Sequence, residues 1–317
     1  MKKYCQSSLF NLCLQLPNEE LYWDVDITDH PLPEDGDFTV NPQRLRGSDF
    51  LMRWAQGRWA EEIVIQSLNQ SNRFRVVPYG PSTVAPEEPS ALESFFEKMD
   101  VIAQEGKRPD ILLYDMHIFE RVQTELIERL GSIEKMAETP SFQVHDLIAR
   151  SRAAIEIENS LWVTEKMPGF GKPFSRYTRG KNKGRLKPSG VIPTIIVKVE
   201  DVPRLQQWEA NYGVPIYVVH VFFDRAYFIK FSNILSLVDS GELSPQIQRY
   251  TNPDGTAASS KQILKVPYIL CKEFGIVSGP QLVPRTFVDK NGKVMTYVTF
   301  EGGEIALSPN VFEEWED

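Results

Sequence analysis

Apolar and polar positions along this chain fall into two periods, one near 3.6 and one near 2, and the switches between them outline its elements. Over residues 49–70 the apolar positions recur at helical spacing, with Asp49 suited to cap the start. At about 100° per residue Glu61 falls with Trp54, Ile65 and Leu68, while Glu62 falls with Leu51 and Ala55. Both acids therefore lie beside apolar residues, and periodicity alone does not choose between them. Residues 74–80 read as a short strand ending in a turn, 81–107 as a Pro-rich loop with a helix over 91–104, and Ile111–Tyr114 as the next strand. Residues 117–150 read as helical segments broken near Gly131 and Pro140. Ala153–Asn159 is a strand whose Glu156 and Glu158 point one way while Ile155 and Ile157 point the other. Residues 194–201 form a strand and its exit. A helix over 202–212 follows, with Asp201 as its cap, Pro203 in its first turn and Gly213 as its terminator. The apolar run Ile216–Phe223 is that of a strand buried on both faces. Asp224–Arg225 turns into a further strand, and residues 286–298 read as a hairpin through Asn291-Gly292.

This order predicts an α/β fold, a mixed central sheet flanked by helices. Residues 1–48 form an N-terminal extension and 49–240 a core that carries an insertion at 164–190. Residues 241–317 form an appended, β-containing C-terminal subdomain. Asp24, Asp26 and Asp29 in the extension lack the glycine and terminal Glu of a calcium loop and read as a solvated segment.

The candidate chemistry lies at strand ends. Arg108-Pro109-Asp110 leads into a strand with a carboxylate at its mouth, and Glu156 and Glu158 share one face of another. Three carboxylates converging there suit a hard divalent cation, Mg²⁺, as in a metal-dependent phosphodiesterase. Each residue also has a bland reading: a turn acid for Asp110, the solvated face of an edge strand for Glu156 and Glu158, and a surface cation for Lys198. His220, in a buried strand, reads as a satisfied core histidine.

Charge sharpens this picture. The formal net charge is −8, yet residues 164–190 hold eight basic side chains against Glu165 alone, a net of +7 in 27 residues that leaves −15 on the rest. An acidic body with one basic arm is the pattern of phosphate-backbone binding, and Lys172, Arg176, Arg179, Lys181, Lys183, Arg185 and Lys187 are its candidate contacts to double-stranded DNA. Most would touch phosphate, and some Arg could read guanine edges. Three separated cysteines and four scattered histidines support neither a disulfide framework nor a zinc site. With no signal-like N-terminal run and no apolar span of about 20 residues, a cytoplasmic protein away from membranes is expected.

Taken in order, Pro109-Asp110 and Glu156-Ile157-Glu158 resemble the two motifs of the PD-(D/E)xK nuclease superfamily, with Glu158 where that pattern has Lys. Gly57–Glu61 resembles the acidic position of its first helix, and the likeness covers roughly residues 49–231. The stretch from Val197–Asp201 through Trp208 to Tyr212–Tyr227 is similar to AccI-type restriction endonucleases. The resemblance implies a restriction-endonuclease-like fold and a sequence-specific, Mg²⁺-dependent DNA endonuclease leaving 5′-phosphate and 3′-hydroxyl ends. It also implies a homodimer and a cognate DNA methyltransferase as functional partner. Asp110 and Glu156, with the carbonyl of Ile157, would hold the metal, and Glu61 would support these ligands or hold a second ion. Glu158 would bind a second ion or orient the attacking water, and Lys198 could supply the missing ammonium. A repair nuclease of the same superfamily, or a non-catalytic DNA-binding protein on its scaffold, are the alternatives.

Overall fold

The computed structural model describes residues 48–80, 102, 105–180, 184–188, 190–251, 257–288 and 294–316. The described residues begin with α1 (Ser48–Gln70), β1 (Phe74–Pro78), β2 (Ile111–Asp115), α2 (Met116–Leu130), α3 (His145–Ile148) and β3 (Ala153–Asn159). A two-stranded ribbon of β4 (Ser175–Arg176) and β5 (Leu186–Lys187) follows, then β6 (Thr194–Lys198), α4 (Val202–Tyr212), β7 (Ile216–Val221), β8 (Arg225–Lys230) and α5 (Phe231–Asp239). The remainder comprises β9 (Gln246–Thr251), β10 (Ala257–Pro267), β11 (Lys272–Ser278), β12 (Gln281–Val288), β13 (Val294–Glu301), β14 (Glu304–Leu307) and α6 (Pro309–Glu316). Of the expected helix over 91–104 only Ile102 is described, and it is helical; the acids of the extension and the Asn291-Gly292 turn lie outside the described residues.

A seven-stranded sheet in the order β1-β2-β3-β7-β8-β11-β14 organises the molecule. Only β3 and β7 run parallel among its neighbours; the other pairs are antiparallel. A parallel pair needs a long crossover, and here it consists of the basic arm, β6 and α4. Every residue of β7 is buried, as its unbroken apolar run requires. α4 ends where Gly213 turns left-handed (φ 67°) and its N–H closes on Glu209 O at 2.9 Å.

Each face of the sheet carries its own core. Leu112, Tyr114, Ala154 and Val218 meet Val122 and Leu126 of α2 and Leu205 and Trp208 of α4. On the reverse face Ile111, Ile155, Ile157 and Val219 meet Trp59, Ile63 and Val64 of α1. Alternation along β3 therefore sends Glu156 and Glu158 to the α4 side and Ile155 and Ile157 to the α1 side, as the sequence pattern requires.

The C-terminal region, expected as an appended subdomain, shares this sheet and this core. It supplies β11 and β14 to the central sheet, and β10 pairs with β6 in a second sheet. Trp315 of α6 is buried edge-on against Phe74 (5.9 Å) and Tyr217 (5.5 Å), tying α6 to β1 and β7. The β12–β13 ribbon covers α1, where Phe300 meets Trp59 at 6.2 Å.

Candidate active site

Asp110 sits one residue ahead of β2. The register Ile111↔Ile155 sets it directly across from Glu156, and the Asp110 N–H donates to Ile155 O at 3.0 Å. Its carboxylate is fixed by the backbone: Oδ2 accepts the Ile157 N–H at 2.6 Å. Because the N–H and C=O of a strand residue point toward the same neighbour, the Ile157 carbonyl is directed to the Asp110 side of β3. From behind, the Asp110 carbonyl accepts the N–H groups of Tyr79 (2.9 Å) and Gly80 (2.7 Å). A Cβ on Gly80 would come within 2.7 Å of the Asp110 Cα, so only glycine lets that loop lie against the site.

Two buried carboxylates directly opposed across strands repel each other. Burial raises the Glu156 pKa well above the usual range, and the Asp110 charge pushes it further. Lys107 opposes this. Its Nζ lies 2.5 Å from Glu156 Oε1. Burial disfavours the Lys107 charge, but Glu156 and Asp110 outweigh it and raise its pKa. The other Glu156 oxygen, Oε2, is buried with no hydrogen-bond partner.

Glu158 lies further along the same face, and burial raises its pKa against the pull of Lys198 and Lys107. Lys198, at the end of β6, holds its Nζ 4.0 Å from both Glu158 and Asp201. Asp201 holds the N-cap position of α4 as the sequence predicts, but its side chain makes no cap bond and faces Lys198 instead. The crossover thus carries an ammonium back to the carboxylate that stands where a Lys was expected.

His220 is paired in register with Glu158 across the parallel strands. It is buried as expected but not satisfied: neither ring nitrogen has a hydrogen-bond partner, and Phe222 packs on the ring at 4.6 Å. Burial lowers its pKa from 6.5 to about 3. Between those values the unfolded chain binds a proton that the folded chain refuses, so stability falls as pH drops through the window. His220→Val should remove about 2 kcal/mol of acid destabilisation at pH 5 relative to pH 7. Urea melts of the two proteins at both pH values check this. The raised Glu156 pKa acts in the opposite sense in both proteins and leaves the comparison intact.

Glu61 is buried on α1, which packs against the opposite face of the sheet from Glu156 and Glu158. Glu62 faces solvent and pairs with Arg58 at 2.8 Å, which settles the choice that periodicity left open. Asp110, Glu156, Glu158 and Lys198 are thus brought together, while Glu61 comes from a helix on the other face of the sheet. No three His, Cys, Asp or Glu side chains among the described residues stand close enough to form a metal cluster as they are. The donor chemistry still fits a hard cation: an unpartnered buried Glu156 oxygen, an opposed Asp110 and a nearby Glu158, all of one charge. Lys107 is the residue that sequence reasoning missed. Its only signal in the sequence is a basic residue three positions before Asp110, outside both strand motifs.

The described residues of the arm are fastened to the body at several points. Its root is held by Asp224, which accepts the N–H (2.7 Å) and hydroxyl (2.6 Å) of Thr164 and the N–H of Glu165 (3.1 Å). Phe170 and Phe174 pack on Tyr268 at 5.3 and 6.1 Å, so these aromatics anchor the arm. Arg185 is tied to Gly241 O (2.9 Å) and Ser244 Oγ (2.6 Å). Lys172, Arg176, Arg179 and Lys187 face solvent, and Lys181 and Lys183 lie outside the described residues.

The α/β sheet thus gathers carboxylates and ammonium groups at the mouth of its central strands. The family follows from comparison with known sequences. The model of the AccI restriction endonuclease family matches residues 23–169 and 191–312, and the chain belongs to that family, one of type II restriction enzymes. The matched blocks include Asp110, Glu156, Glu158 and Lys198 and leave out residues 170–190, most of the basic arm. No curated protein and no solved structure matches. No helix among the described residues is long and apolar enough to cross a membrane.

Proposed function

We propose that this chain is a Mg²⁺-dependent type II restriction enzyme of the PD-(D/E)xK kind, hydrolysing phosphodiester bonds of double-stranded DNA to 5′-phosphate and 3′-hydroxyl ends. The observation that carries this reading is the pairing of the buried Asp110 and Glu156 across β2 and β3, with Glu158 and two lysines, all more exposed, gathered beside them. Asp110, Glu156 and the Ile157 carbonyl would hold the ion, with Glu158 beside them. When bound, Mg²⁺ supplies Lewis-acid polarisation of the scissile phosphate and acidifies a water.

The chain's own groups do the rest. Asp110 is oriented by the Ile157 N–H and held from behind by the Gly80 loop. Glu158, its proton affinity raised by burial, is suited to orient the attacking water and accept its proton. Lys198 places positive charge next to that carboxylate, where it would stabilise charge developing on the phosphate. The arm's exposed Lys172, Arg176, Arg179 and Lys187 would track the DNA backbone. A homodimer would set one such site on each strand of a two-fold-symmetric sequence. The enzyme would act in the cytoplasm, with a cognate DNA methyltransferase as functional partner.

Digestion of a large defined DNA tests this, with and without Mg²⁺, beside Glu156→Ala. Discrete fragments that need Mg²⁺ and vanish in the variant are expected. Uncut DNA that still binds at low salt would sink the enzymatic reading in favour of a non-catalytic scaffold, and cleavage confined to flaps or junctions would favour a repair nuclease.

A further inference from the structure

The cation nearest the carboxylate pair belongs to the loop before β2, and neither strand motif contains it. Lys107 sits with its ammonium on Glu156 Oε1, and its side chain is only 26% exposed. The residues after it are locked. Arg108 is buried, its Nη2 donating to Glu105 Oε2 (2.7 Å) and Thr139 O (2.9 Å), and its guanidinium lies 5.0 Å from the centre of the Tyr79 ring. Pro109 then fixes the approach to Asp110. The loop that delivers the carboxylate therefore also delivers its counter-charge. A cavity of about 240 Å³ adjoins Lys107, lined by Arg108, Phe142, Arg204, Trp208 and Tyr212.

A divalent cation taken up by Glu156, even through the open Oε2, would share one carboxylate with the Lys107 ammonium on Oε1, and two positive charges so close repel each other. We propose that Lys107 is a positioning residue that holds Asp110 and Glu156 in the metal-free protein and competes with the divalent cation for Glu156, so that it sets the metal concentration at which the site assembles. Moving its ammonium away from Glu156 would relieve that repulsion as the site loads, and the adjoining cavity gives it room. This rests on the nuclease reading above.

The test uses the full chain without DNA, stripped with EDTA, as wild type, Lys107→Met and Lys107→Arg. Mg²⁺ binding is titrated by calorimetry, and melting temperature is followed in EDTA and in Mg²⁺. Lys107→Met should bind Mg²⁺ about tenfold tighter or more, because one competing positive charge is gone. It should melt lower than wild type in EDTA and recover most of that loss in Mg²⁺, while Lys107→Arg stays near wild type in EDTA. Should Lys107→Met be unfolded in EDTA, Mg²⁺ must restore its fold. A purely structural lysine would lower the melting temperature without tightening Mg²⁺. Unchanged or weaker Mg²⁺ binding, or a destabilisation that Mg²⁺ leaves in place, overturns the proposal. Wild type that binds Mg²⁺ and cleaves beside such a variant sinks this inference alone. Wild type that neither binds Mg²⁺ nor cleaves sinks the nuclease reading with it.

Discussion

Asp110→Asn should leave a folded protein that no longer cuts, while Asp110→Ala should lose both activity and stability. The difference lies in one oxygen. Oδ2 of Asp110 accepts the buried Ile157 N–H at 2.6 Å, and an Asn carbonyl can take the same bond. Alanine leaves that N–H unsatisfied, at about 1–3 kcal/mol. Neither variant supplies the negative charge that a hard cation requires. Both should fall by about a thousandfold or more in cleavage, the several kcal/mol that a polarising metal contributes. Asparagine also relieves the repulsion between Asp110 and Glu156, so in EDTA its melting temperature should equal or exceed that of wild type. Cleavage rates in Mg²⁺ and thermal melts in EDTA read the two effects separately. Substantial cleavage by Asp110→Asn would remove Asp110 from the metal-holding role, and an Asp110→Ala protein as stable as wild type would show that its carboxylate does not hold β3.

Much of this site was legible because strands enforce geometry on sequence. Once Ala153–Asn159 is a strand, Glu156 and Glu158 must share a face, and once Ile111 pairs with Ile155, Asp110 must oppose Glu156. Lys198 lies some forty residues beyond Glu158 in sequence, and its approach was open until the crossover was seen to return β6 to that face. Lys107 was not legible. A loop side chain has no periodicity, and what pins it there is the buried Arg108, whose partner Thr139 O lies more than thirty residues away. Glu61 shows the opposite limit. The helical pattern marked it as unusual among apolar neighbours, yet the side of the sheet its helix covers is a fact of packing that local sequence does not encode.

Where the strands after residue 240 pair was not legible in the sequence, for a similar reason. The segment's strands and hairpin read correctly as β structure, but β11 and β14 pair with the edge beyond β8, and Trp315 reaches the core formed by Phe74 and Tyr217. Long-range pairing of this kind leaves no local signature. His220 was readable as buried and unreadable as unsatisfied, because its partners could be counted only after β3 and β8 were placed on either side of it.

Neutralising Lys172, Arg176 and Arg179 together should weaken DNA binding nearly uniformly across sequences and flatten its salt dependence. These three face solvent, whereas Arg185 is committed to Gly241 O and Ser244 Oγ. Removing one phosphate-binding cation should reduce the slope of log affinity against log salt by about 0.9, so the triple Ala variant should be shallower by about 2.7. Arg185→Ala should act differently, loosening the ribbon where it joins the body and leaving the phosphate-facing cations in place. Its slope should change little while binding weakens. Filter binding or fluorescence anisotropy across a range of salt, in Ca²⁺ to prevent cleavage, distinguishes the two. The matched family segments leave out residues 170–190, so the arm is where this chain departs from the shared family pattern. If one of the three arginine or lysine side chains reads a base, its single variant will relax the requirement at one position of the cleaved sequence instead of weakening every site alike. A triple variant with wild-type affinity and slope would mean that the arm's charge serves something other than DNA, and the acidic remainder of the chain would then have to hold the duplex without it.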